Sequence, residues 1–348
     1  IDAPGRGPFP VPYQAPTTID AAELFKIGNG KIRKIEAIQT NLPYGTGSPF
    51  AAPFPVGPPS LAISDLVQVP PPCDRRCLEA FVDRYLEAMV AHNPKGVPVQ
   101  DPRYSEDDVE LPFGSGLWRT ASGLGKYKLY FADPQQGQVG FFGTIRENGK
   151  GAALALRLKV EHGLLREAEA VVVRNEMTFQ SLEEAGTPDP VLRQTVPAAE
   201  RLARDRLTAI ANQYFEAIEQ GNGGVAPFDP DCNRFENGRK TSGTLGCAKQ
   251  LDTGIFDYIR RIYPRRFLVV DEERQLVFGF FMFNHPGNIL WVNVPGEGRH
   301  EMPAAAQRPF SVDVAELFRI QNGKIRKVEA LMTALPYGAA SPYAPATR

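Results

Sequence analysis

Five side chains in the C-terminal half are of the types that move protons: Tyr214, Arg234, Glu236, Asp252 and His285. A carboxylate, a tyrosine and an imidazole brought together can exchange protons with a substrate, and an arginine can hold a developing oxyanion. The N-terminal half carries a partial match, Tyr85, Arg103 and Glu106, with Trp118 as a stacking wall. It has no histidine to match His285, which favours the second half for chemistry. Each residue also has a structural reading. Tyr85 and Tyr214 fall on apolar helical stripes, where tyrosine ordinarily joins the core with its hydroxyl at the rim. His285 sits in Phe283-Asn284-His285-Pro286-Gly287, a loop composition. Arg234 and Glu236, two apart on an expected strand, share a face and suit a solvent-side ion pair. Glu36, Glu169 and Glu329 each stand near Arg or Lys in a repeated segment and read as rungs of a cross-strand charge ladder.

Other signals exclude whole classes of function. No GxGxxG follows an expected strand, and no phosphate-loop lysine is present. Gly243-Thr244-Leu245-Gly246-Cys247 lacks the strand–turn–helix setting of a nucleophile elbow. The histidines His92, His162, His285 and His300 are too scattered for a metal centre, so neither metal nor cofactor is expected. A net charge of -1 gives no reason to expect nucleic acid or an anionic membrane as partner. No run reaches the roughly 18 apolar residues of a membrane helix. The chain also opens without a basic-then-apolar leader, so any leader is absent or removed. Four cysteines form two local pairs, Cys73/Cys77 and Cys232/Cys247, which suit two disulfides and a secreted or periplasmic protein. Two other states stay open: buried free thiols, and a four-thiolate zinc site whose spacing would be unusual.

The elements that must position these groups repeat. ELFKIGNGKIRKIEAIQTNLPYG at Glu23–Gly45 returns as ELFRIQNGKIRKVEALMTALPYG at Glu316–Gly338, with a fainter copy, LRLKVEHGLLREAEAVVV, at Leu156–Val173. Val312, Val314, Glu316, Phe318 and Ile320 alternate onto one face, and Asn322-Gly323, His162-Gly163 and Asn29-Gly30 mark tight reversals. Two amphipathic helices precede the later copies, Cys77–His92 and Arg206–Glu219. A short helix is expected around Asp252–Tyr263, and strands at Gln138–Thr144 and Gln275–Phe283. Arg103-Tyr104-Ser105-Glu106 aligns loosely with Arg234-Phe235-Glu236-Asn237. The 32 prolines cluster in runs that read as linkers. The expected division is an orphan hairpin at 1–50, a Pro-rich linker at 51–71, a first unit at 72–174, a linker at 175–196 and a second unit at 197–345. The orphan hairpin must pair with something, because two isolated strands are unstable in water. It either adds to a sheet edge, here or in a neighbouring molecule, or belongs to a longer repeating polypeptide.

A helix carrying a tyrosine, then strands, then a closing "AELFRIQNGKIRKVEAL" hairpin resembles the nuclear transport factor 2-like superfamily, which includes SnoaL-like polyketide cyclases. CDRRCL at Cys73–Leu78, GLWRTASG at Gly116–Gly123 and LPYG at Leu335–Gly338 resemble uncharacterised secreted members with two such domains in tandem. The resemblance implies an α+β fold of tandem cone-shaped barrels, each a curved antiparallel sheet wrapped around helices, with the N-terminal β-hairpin as an extra. It also implies an apolar cavity that works by cofactor-free acid–base catalysis in a dry pocket. In that setting Tyr214, Glu236, His285, Arg234 and Asp252 are the catalytic expectation, and Tyr85, Glu106 and Trp118 the substrate-binding one. The function expected is binding of an apolar small molecule, with isomerase, dehydratase or lyase chemistry. The alternative is an extracellular structural protein that self-associates through sheet edges by donating its hairpin head to tail.

Overall fold

The computed structural model describes residues 2–3, 7–8, 17–28, 31–47, 73–259, 261–294 and 298–344. The Pro-rich linker and the Asn29-Gly30 turn lie outside the described residues.

The N-terminal hairpin pairs β1 (Thr17–Gly28) with β2 (Lys31–Pro43) and, among the described residues, joins no other sheet. Helix α1 (Arg75–Val90) starts at Asp74, whose carboxylate accepts from the Cys77 amide at 2.8 Å. It buries Leu78, Phe81, Val82, Tyr85, Leu86 and Met89, the stripe its spacing predicts. Strands β3 (Val99–Glu106), β4 (Val109–Leu111), β5 (Ala121–Asp133), β6 (Gln138–Glu147), β7 (Lys150–Glu161) and β8 (Leu164–Val173) form one sheet in the order β4-β3-β8-β7-β6-β5. Helix α2 (Glu176–Ala185), capped by Asn175, then occupies what the sequence reads as linker, with Phe179 over Gly151.

Helix α3 (Arg204–Gln220) ends at Gly221 in the left-handed region (φ 58°). It is followed by β9 (Phe228–Glu236), β10 (Arg239–Lys240), β11 (Arg261–Asp271) and β12 (Leu276–His285). After a small side pair, β13 (Trp291–Val294) and β14 (Gly298–Glu301), come β15 (Phe310–Gln321) and β16 (Lys324–Leu335). The second sheet runs β10-β9-β16-β15-β12-β11, the same order as the first. Its closing turn at Asn322-Gly323 (φ 52°, 74°) repeats His162-Gly163 (φ 52°, 74°).

Three expectations need correction. The sheets are mixed, because β3 runs parallel to β8 and β9 parallel to β16. Each of these strands is reached from a partner far along the chain, so no tight hairpin imposes antiparallel pairing. The expected helix at 252–263 lies earlier, at Gly246–Leu251, because Gly254 (φ 69°) interrupts the chain before β11. Finally, Ala170 pairs with Glu106 and Ala330 with Glu236, so Glu106 corresponds to Glu236 and Tyr104 to Arg234. The sequence alignment was out by one, which on a strand turns a side chain to the opposite face.

One face of each sheet covers its own helix. The other faces meet in a shared apolar core of Leu129, Phe131, Phe142 and Val171 against Phe278, Phe280, Leu317 and Leu331. Phe131 and Phe278 approach to 4.7 Å between ring centroids. At the rim the two halves exchange equivalent bonds. Asp271, at the end of β11, takes Arg75 in a two-pronged pair (2.6 and 2.9 Å) and the Ala132 amide at 3.2 Å. Asp133, at the end of β5, takes Arg204 at 2.6 Å and the Val270 amide at 3.1 Å. The C-terminal segment crosses back: Tyr343 donates to the Ala168 carbonyl at 3.2 Å, under the Arg103 guanidinium.

Both cysteine pairs are disulfides, with Cα–Cα distances of 5.2 Å for Cys73–Cys77 and 5.5 Å for Cys232–Cys247. The second ties β9 to the helix Gly246–Leu251.

Candidate functional site

The second sheet and α3 bring four polar side chains into an otherwise apolar interior. Tyr214 projects from the buried stripe of α3, Arg234 and Glu236 from one face of β9, and Glu316 from the helix-facing row of β15. Around them Phe215, Phe281 and Phe318 pack at centroid distances of 4.2 Å (Phe215–Phe281) and 5.1 Å (Tyr214–Phe318). Arg234 Nη1 donates to the Tyr214 hydroxyl at 3.3 Å, pairs with Glu236 and lies 4.4 Å from the Phe256 ring. The pair is therefore an interior one, because Phe256 covers the arginine and leaves it 4% exposed. Glu236 is the half-open end of the cluster.

Glu316 is the residue that sequence reasoning missed. It is 2% exposed, and its Oε2 has no hydrogen-bond partner among the described residues. Burial pushes its carboxyl up to about 8, against the pull of the Arg234 charge and the Tyr214 hydroxyl. The carboxyl thus keeps its proton at neutral pH and can donate. The signal was present as a lone acid in the alternation Val312, Val314, Glu316, Phe318, Ile320. Leu156 holds the corresponding place in the first sheet, which makes this polarity particular to the second. Tyr214 is likewise driven upward by burial, so its hydroxyl also remains a donor.

His285 closes β12 instead of standing in a loop. It is buried, stacked on Phe310 at 4.2 Å and 5.2 Å from the Tyr258 ring, with Nδ1 3.1 Å from the Phe283 carbonyl. Burial lowers it to about 4, so the ring is neutral at pH 7. Asp252 does not converge with this group: it is exposed and accepts from the Gly223 amide at 2.7 Å.

In the first sheet the expected binding residues already satisfy one another. Trp118 Nε1 donates to the Tyr85 hydroxyl at 3.0 Å, and both rings are fully enclosed. Glu106 accepts from the Tyr104 hydroxyl and the Leu117 amide, each at 2.7 Å, and pairs with Arg174. These groups form a structural clamp, with little capacity left for a substrate. Arg103 is surface-bound to Glu110 at 2.9 Å.

The expected charge ladder also changes character, because the opposing sheet covers two of its rungs. Glu169 is buried and takes Arg266 from the second sheet at 2.9 Å, while Glu329 takes the Tyr127 hydroxyl from the first at 3.2 Å. Only Glu36, paired with Lys34, stands in solvent. Beside Glu329, between the two sheets and α2, lies a cavity of about 370 Å³. Its walls come from distant parts of the chain, so no local pattern announces it. Among the described residues no group of three or more His, Cys, Asp or Glu is placed to hold a metal, and no helix is long and apolar enough to cross a membrane.

A family profile described as a domain of unknown function (DUF8021) matches residues 200–332. A search of curated proteins gives no match. Among solved structures, the chain is similar to a candidate polyketide cyclase from Xanthomonas campestris pv. campestris, at 16% identity and TM-score 0.27, over 37% of this chain and 90% of that one. It is similar to a phenazine biosynthesis-related protein from Pseudomonas aeruginosa at 11% identity and TM-score 0.26, over 37% and 76%. A de novo designed protein with a curved β-sheet is similar at 11% identity and TM-score 0.25, over 38% and 88%. Likenesses this slight carry no argument about function.

Proposed function

We propose that residues 72–174 and 197–345 are two repeat units, and that the second binds a small apolar molecule bearing a carbonyl or phenolic oxygen. The observation that carries the reading is Glu316: a buried carboxyl with one oxygen unpartnered among the described residues, beside the Tyr214 hydroxyl and the Arg234 guanidinium. Three donors set in one apolar interior stabilise an oxyanion better than water does, because they are held in place before charge develops. Perturbed carboxyls of this kind concentrate at functional sites. The chemistry that fits is cofactor-free proton transfer: isomerisation, dehydration or a lyase step. Glu316 is the acid, and Glu236, at the open end, receives the proton taken from carbon. The two disulfides favour an extracellular or periplasmic setting.

The test uses 2-naphthol, whose fluorescence separates its neutral and ionised forms. At pH 7 binding should raise the ionised fraction, and Glu316→Leu, which installs the residue found in the first unit, should abolish that rise. Equal ionisation in both proteins, or none in either, removes the proposal.

A second reading concerns the N-terminal hairpin. Leu24 is 69% exposed and Ile38 82%, while their counterparts Leu317 and Leu331 are 0% and 3% exposed. Such strands suit addition to a sheet in another molecule and head-to-tail assembly. Deleting residues 1–50 and recovering an unchanged mass by light scattering would remove this reading.

A further inference from the structure

We propose that the cavity between the two sheets is a second small-molecule site, independent of Glu316, that takes an uncharged apolar alcohol or phenol. Its volume of about 370 Å³ falls in the range, roughly 300–1,000 Å³, of small-ligand sites, which favour the junction of two units. The walls are mostly apolar, with Phe142 from the first sheet, Leu182 from α2 and Leu331 from the second. One patch is polar and already organised. The Tyr127 hydroxyl donates to Glu329 Oε2 at 3.2 Å, and Lys327 Nζ stands 3.3 Å from Glu329 Oε1, 3.0 Å from Asp189 and 3.8 Å from the Phe235 ring. Tyr127 and Lys327 are buried and the Glu329 side chain is only 14% exposed, so these groups are held before any ligand arrives.

The choice of ligand follows from charge. An anion meets Glu329 and Asp189, and a cation meets Lys327, so either charged end group pays a repulsion in a poorly solvated space. A hydroxyl avoids both. It can accept from the ammonium, which has three N–H donors and two carboxylate partners, and donate to Glu329 or to the Tyr127 oxygen. A carbonyl could only accept, and a hydrocarbon would leave the polar patch unmatched.

Three probes with one body and different ends test this by calorimetry at pH 7: 2-naphthalenemethanol, 2-naphthoic acid and 2-naphthylmethylamine. The alcohol should bind saturably, and the acid and amine at least tenfold more weakly. Ala185→Trp and Thr187→Trp, at exposed positions on the cavity lining, should each weaken the alcohol at least tenfold. Glu316→Leu should leave it unchanged. Absence of saturable binding by the alcohol overturns the proposal. So does indifference to both tryptophans, an equal affinity for either charged probe, or a loss caused by Glu316→Leu instead. The last outcome would assign the alcohol to the interior of the second unit.

Discussion

Replacing Glu316 by glutamine keeps the shape of the side chain and removes its titration. The folded protein holds this carboxyl up to about 8, whereas an unfolded chain releases the proton near the ordinary glutamate value of 4.5. Stability from the bound proton is therefore complete below the unfolded value. It is lost progressively as the pH climbs toward the folded value, and the loss levels off above it. The difference corresponds to about 5 kcal/mol, at roughly 1.4 kcal/mol for each tenfold change in proton affinity. Glu316→Gln escapes this loss. It should match the parent near pH 4.5 and exceed it by about 5 kcal/mol above pH 8. For a cooperative chain of this length, with an unfolding entropy of roughly 2.1 cal/mol/K per residue, that is about 7 °C in melting temperature. Scanning calorimetry of both proteins from pH 4.5 to 9 isolates Glu316, because Asp107, pushed up to about 6, and Asp108, to about 7, contribute equally to each. A melting difference that stays constant across the range refutes the placement of a neutral carboxyl in the interior of the second sheet.

Three further outcomes follow from the same geometry. Asp133→Asn takes the carboxylate from Arg204 and should cost about 3 kcal/mol in urea unfolding; Asp271→Asn, its counterpart, leaves Arg75 its bond to Glu273 at 2.7 Å and should cost less. Cys232→Ser with Cys247→Ser opens a loop of 15 residues and should lower stability by about 3 kcal/mol; peptide mapping without reductant should recover this pair and Cys73–Cys77. Leu24→Lys with Ile38→Lys, both at exposed positions, should leave the melting temperature within about 1 °C while reducing self-association in sedimentation velocity.

The helices, the hairpin turns and the disulfides were legible because each is written in neighbouring residues. Leu78, Phe81, Val82 and Tyr85 fix one face of α1, and a Gly after His162 or Asn322 fixes a reversal. What escaped depends on partners remote in sequence. Nothing near Glu169 or Glu329 says that a second sheet will cover them, so both looked solvent-facing. The parallel pairing that sets Glu106 opposite Ala170 joins residues 64 positions apart, and the one-residue misalignment went undetected without it. His285 looked like a loop residue because Pro286 and Gly287 follow it, whereas pairing with Phe310 extends β12 one residue beyond Asn284. Glu316 was overlooked for a different reason. Its strand alternates Val312, Val314, Glu316, Phe318 and Ile320 onto one face, and the alternation alone does not tell a lone acid within it from the pattern.

The junction between the sheets has a further consequence for where chemistry can reside. Asp133 and Asp271 exchange the same bonds in opposite directions, as the two halves of a two-fold dimer would. A true dimer carries two identical interiors, but a single chain is free to let them diverge. Here the positions facing the two helices have done so: Glu316 answers to Leu156 and Arg234 to Tyr104. The first interior closes on itself through Tyr85, Trp118, Tyr104 and Glu106, each supplied with a partner by the protein. The second leaves Glu316 Oε2 without a partner among the described residues and a carboxylate, Glu236, partly exposed. Such a division suits one half to rigid support and the other to binding. On that reasoning Glu106→Gln should lower stability without altering the ionised fraction of bound 2-naphthol at pH 7, and Glu316→Leu should abolish the rise in that fraction without lowering stability.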